Sequence, residues 1–127
     1  MTWQEKANLY LSKNHNLELI DDLLLEIESD PDNISFYSYL GLAYFLSQQD
    51  EEAQMSWFTV VTQGNDQDID ELITIIDRKA EELYLHKNHQ QCCQLRLIIN
   101  DINPNLVNNL ISLFHSAMEL NRHSIRD

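Results

Sequence analysis

The sequence predicts an all-α fold in which three helical hairpins stack side by side, closed by a C-terminal capping helix, seven helices in all. Three observations carry this. Apolar residues recur in steps of three and four through nearly all of the 127 residues. Two glycines and two prolines are too few for a β-rich chain, which needs turn residues every ~8–12 positions. Finally, Tyr37, Leu40, Gly41, Tyr44, Ala53 and Trp57 are spaced as on two helices that close upon small side chains.

The first hairpin covers about residues 2–29. Trp3, Ala7, Tyr10 and Leu11 make one helical stripe, Lys13 to Asn16 interrupts it, and Leu17, Ile20, Leu23, Leu24 and Ile27 make the next. Asp30-Pro31 closes the pair. The second hairpin, 33–63, opens at capping candidates Asp32, Asn33 and Ser35, turns at Ser47 to Asp50, and returns through Ala53, Trp57, Val60 and Val61. Gly64 suits a left-handed position just beyond that helix. The third, 68–102, begins with acidic residues that favour a helix N-terminus. It continues through Ile69, Leu72, Ile73, Ile76, Ala80, Leu83 and Tyr84, then Cys92, Leu95, Ile99 and Ile102. Leu106, Leu110, Leu113, Phe114 and Ala117 mark the capping helix at 105–121, with 122–127 a frayed tail or the start of a linker. Residues 1–121 thus read as a single domain.

Numbering from Ile34 as position one, Tyr37, Leu40, Gly41, Tyr44, Ala53 and Trp57 occupy positions four, seven, eight, eleven, twenty and twenty-four. A parallel frame starts at Ile73, an offset of 73 − 34 = 39, and places Ala80 and Cys92 at the close helix contact. There positions seven and twenty-four are Lys79 and Arg96, charged where apolar residues are expected. These residues make the chain resemble a tetratricopeptide-repeat domain, which implies a right-handed α-solenoid whose free concave face usually holds another molecule. Further runs, Ser38 to Tyr44, Glu51 to Gln54, Trp57, Leu95-Arg96, Ile102 to Pro104 and Asn108 to Leu110, look like the N-terminal repeats of certain large bacterial proteins. In those, repeats precede a SPINDLY-type O-linked N-acetylglucosamine transferase domain or an FkbM-type methyltransferase domain. That likeness implies an alternative role, as the regulatory or substrate-presenting front end of a glycosyltransferase or methyltransferase whose catalytic domain lies outside this chain.

By position, the resemblance points to Asn8, Leu11, Ser38, Leu42, Phe45, Leu46, Asp77, Glu81 and Tyr84 as the partner-binding face, apolar at its middle and acidic toward one end. A protein or peptide with an apolar anchor and a Lys or Arg would suit it. The function expected is therefore a non-catalytic scaffold, with self-association through Trp3 or Phe114 as a further possibility.

Eight Lys and Arg against 21 Asp and Glu give a formal net charge of −13, a surface that repels nucleic acid and anionic membranes. No apolar run approaches the ~20 residues of a membrane span and none resembles a signal peptide, so a cytoplasmic location is expected. His86, His89, Cys92 and Cys93 are the one group with metal-ligand chemistry, but the histidines fall at a turn and Cys92 is needed for packing. No metal or cofactor is expected. Adjacent carboxylates such as Asp21-Asp22 and Glu81-Glu82 diverge by about 100° on a helix and cannot work as a catalytic pair. With no phosphate-binding glycine loop or nucleophile elbow, catalysis is not expected of these residues.

Overall fold

The structure, a computed structural model, describes residues 1–126, with side chains through residue 122. These residues form seven α-helices and no strand: α1 (Trp3–Ser12), α2 (Asn16–Ser29), α3 (Ser35–Leu46), α4 (Asp50–Gln63), α5 (Asp66–Leu85), α6 (His89–Ile102) and α7 (Val107–Arg126). The chain gathers into two compact units, Met1–Leu72 and Ile73–Asp127, with α5 contributing to both.

In the first unit α1 packs on α2, α2 on α3, and α3 along α4. Trp3 lies against Phe36 and Tyr39, with ring centroids 4.6 and 5.3 Å apart. Trp57 is buried, its ring 6.2 Å from that of Phe45, and its indole Nε1 donates to the Ser38 carbonyl at 3.2 Å. Gly41 makes room for this indole. A Cβ at position 41 would lie 2.5 Å from Cδ1 of Trp57, 2.7 Å from Cε2, and closer still to Nε1. Ala53 is also buried, yet the groups that require the glycine belong to Trp57.

Three turns share one geometry. Asn14, Gln48 and Lys87 take left-handed φ values of 59°, 62° and 63°. In each turn that residue's N–H donates three residues back, to Leu11, Phe45 or Tyr84. The next N–H, of His15, Gln49 or Asn88, donates five back, to Tyr10, Tyr44 or Leu83. This is the Schellman arrangement, which satisfies the last carbonyls of a helix. The turns recur at 48 − 14 = 34 and 87 − 48 = 39 residues, the second matching the offset between the two repeat frames.

Several helix ends differ from expectation. Gly64 is extended (φ −81°, ψ 164°), not left-handed; a side chain there would meet the Val60 carbonyl at 2.6 Å, so close approach is what favours glycine. α5 starts at Asp66 because Asn65 and Asp68 cap it reciprocally, each side chain accepting from the other's N–H at 2.9 Å. No side chain caps α3, and Ser35 instead donates its hydroxyl to Glu71 Oε1 on α5. α7 continues past residue 121 to Arg126, helped by the Glu119–Arg122 ion pair at 3.1 Å, so the tail expected at 122–127 is helical up to Asp127, which lies outside the described residues.

The largest difference concerns the direction in which α7 faces. Leu110 and Phe114, two of the apolar residues that mark the expected capping helix, are exposed, whereas Asn109 and Ser116 are buried. Polar complementarity decides this. Asn109 Nδ2 donates to the Arg96 carbonyl at 3.0 Å, and the Ser116 hydroxyl lies 3.2 Å from Cys92 Sγ. Among the described residues no helix is long and apolar enough to cross a membrane.

Candidate functional site

Arg96 organises a polar cleft in the second unit. It occupies a helical position where packing calls for an apolar residue, and its side chain is only 3% exposed. A buried guanidinium must find acceptors. Nη1 donates to Asp77 Oδ1 and, at 3.3 Å, to Asn109 Oδ1, while Nη2 donates to Glu81 Oε2 at 3.5 Å. Nε is buried with no hydrogen bond.

Asp77 and Glu81 lie one turn apart on α5, and that i,i+4 spacing lets one cation hold both. Their side chains remain 58% and 59% exposed. Two carboxylates on one guanidinium leave one negative charge in excess. Beside them opens a cavity of about 160 Å³ lined by Tyr84, Cys92, Ser112, His115 and Ser116 together with Glu81 and Arg96. Its volume falls below the ~300–1,000 Å³ of pockets that enclose small ligands, and suits the end of one side chain.

Tyr84 is half-buried, held edge-on to His89 with ring centroids 5.1 Å apart. Cys93, one residue from the cleft-lining Cys92, is buried, and burial first, then the neighbouring Cys92, pushes its thiol pKa upward. The thiol form is therefore favoured, and a thiol is a poor nucleophile. Among the described residues no group of three His, Cys, Asp or Glu side chains is arranged to hold a metal ion.

Of the nine residues expected to form the partner-binding face, Asp77, Glu81 and Tyr84 converge on this cleft. Leu11, Ser38, Leu42 and Phe45 are buried in the first unit and offer no exposed surface. Their burial follows from packing: Phe45 lies against Trp57, and Ser38 sits beneath its indole with its own hydroxyl unpartnered. Asn8 and Leu46 are half-buried. Among the positions expected to define the fold, Leu40, Gly41, Ala53, Trp57, Ala80 and Cys92 are buried, while Tyr37 and Tyr44 are half-buried and line a groove between α3 and α4.

Arg96, Asn109 and His115 escaped the sequence reading of the site. The available signal was the pair of cations, Lys79 and Arg96, at positions where the expected repeat frame calls for apolar residues. Both are buried and both reach acidic partners, Lys79 through Glu82 at 3.3 Å.

No family model matches the chain, and neither a curated protein nor a solved structure matches it.

Proposed function

We propose that this chain is a non-catalytic binding module, a short right-handed solenoid of helical hairpins that holds a peptide or protein through a basic side chain. The observation that carries this reading is the Asp77–Arg96–Glu81 cluster beside the cleft. A buried cation fixes two largely exposed carboxylates in place, so little side-chain entropy remains to be lost when a ligand binds. A Lys or Arg of the partner would meet the excess negative charge, and its aliphatic stem would run along Tyr84. The net charge of −13 would speed the approach of such a partner. The recurrence of one turn at Asn14, Gln48 and Lys87 supports the repeat architecture.

Calorimetric titration with peptides carrying one Lys or Arg beside an apolar residue tests the proposal. Binding should be salt-sensitive, and the double variant Asp77→Asn with Glu81→Gln should weaken it by at least about tenfold, the loss of ~1.4 kcal/mol. Equal affinity of the variant and the parent chain would refute the assignment.

A further inference from the structure

The outer face of α7 carries an exposed apolar stripe. Val107, Ile111, Phe114 and Met118 are 64%, 50%, 64% and 45% exposed, and Leu110 widens the band. They are separated by four, three and four residues, the spacing of a coiled-coil seam. Read backwards, that spacing is unchanged. An antiparallel copy of the same helix would therefore set Val107 against Met118 and Ile111 against Phe114, each contact occurring twice about a two-fold axis.

Charge selects the same occupant. Any two copies meet with −13 on each, so most pairs of faces repel. From Asn103 to Met118, however, there is no Asp, Glu, Lys or Arg, and Glu119, the first charge beyond, is already paired with Arg122. The exposed apolar residues of α4, Met55, Phe58 and Val61, lack this neutrality, because their helix begins Asp50-Glu51-Glu52.

We infer that the α7 stripe is the contact surface for a second copy of this chain, formed by two antiparallel α7 helices packed through Ile111 and Phe114. The stripe covers eleven helical steps, roughly 17 Å at ~1.5 Å per residue. A single helix seam of that length falls short of the ~800 Å² per partner of a standard interface, so association is weak. The stripe lies on the solvent side of α7, and the proposal stands independently of peptide binding at the Asp77–Glu81 cleft.

Sedimentation equilibrium of the full chain, from a few micromolar to about 1 mM, tests it. The average mass should rise from 15.0 kDa toward twice that value, and added salt should favour the dimer by screening the acidic surfaces. Phe114→Glu should raise the dissociation constant at least roughly 30-fold, as should Ile111→Gln to a lesser extent, with circular dichroism unchanged because both side chains are exposed. Met55→Glu on α4 should leave the mass curve as it is. A 15.0 kDa particle at every concentration would overturn the proposal. So would association that survives Phe114→Glu, or that is lost equally with Met55→Glu.

Discussion

Replacing Gly41 by alanine should destabilise the chain, although alanine is the better helix former by about 1 kcal/mol. The opposing effect is steric. The new methyl group would sit 2.5–2.7 Å from ring carbons of Trp57, a rigid, buried side chain that cannot yield by rotating a flexible end. Overpacking of this kind costs ~1–3 kcal/mol. Displacing the indole also breaks its 3.2 Å hydrogen bond to the Ser38 carbonyl, and a buried N–H left unpaired costs a further ~1–3 kcal/mol. The net destabilisation is therefore about 1–5 kcal/mol. Urea unfolding followed by tryptophan fluorescence measures it, since both tryptophans, Trp3 and Trp57, belong to the first unit. Combining Gly41→Ala with Trp57→Leu isolates the pair: with the indole gone, alanine should become neutral or stabilising, a coupling of at least ~1 kcal/mol. A Gly41→Ala variant more stable than the parent by the propensity difference alone would refute the reasoning.

Other perturbations separate the remaining contributions. Arg96→Met, which keeps volume and removes a buried charge whose partners can turn to solvent, should change stability by under ~1.5 kcal/mol, whereas Arg96→Ala should cost ~2–4 kcal/mol through the cavity it leaves; thermal unfolding distinguishes them. Lys87→Gly should stabilise by ~0.5–1 kcal/mol, because φ of 63° penalises a side chain; a stability loss in urea would contradict the turn geometry. Alkaline pH should destabilise the fold. Burial, then Glu52 and Asp21, raises the Tyr44 pKa above its ordinary 10.0, so the folded state holds that proton more tightly than the unfolded state does. Its contribution is complete below pH 10 and is lost as pH rises through the folded pKa; Tyr44→Phe should flatten the decline in urea midpoint above pH 10.

The packing of α3 along α4 was legible because its signal lies in size: a glycine, an alanine and a tryptophan at fixed spacing leave few packing solutions, and Gly41 and Trp57 do meet. The three matching turns were not legible as left-handed positions, since Asn14, Gln48 and Lys87 carry side chains where glycine is the usual marker. Gly64, which does carry that marker, is extended. Hydrophobic periodicity misdirected α7. Leu110 and Phe114 turn outward, with Leu106 and Leu113 half-buried, because buried Arg96 and Cys92 need hydrogen-bond partners, which Asn109 and Ser116 supply. The candidate site was half visible for the same reason. Asp77, Glu81 and Tyr84 were named from the expected repeat frame, but the residue that joins them registers in sequence only as a charge out of place.

The most direct test of the binding role is an amide chemical-shift titration of the isotope-labelled chain with a short peptide carrying an arginine beside an apolar residue. The account predicts saturable shifts concentrated at Asp77, Glu81, Tyr84 and His115, abolished when Asp77→Asn and Glu81→Gln are combined. Shifts confined to the first unit, or none at millimolar peptide, would contradict it.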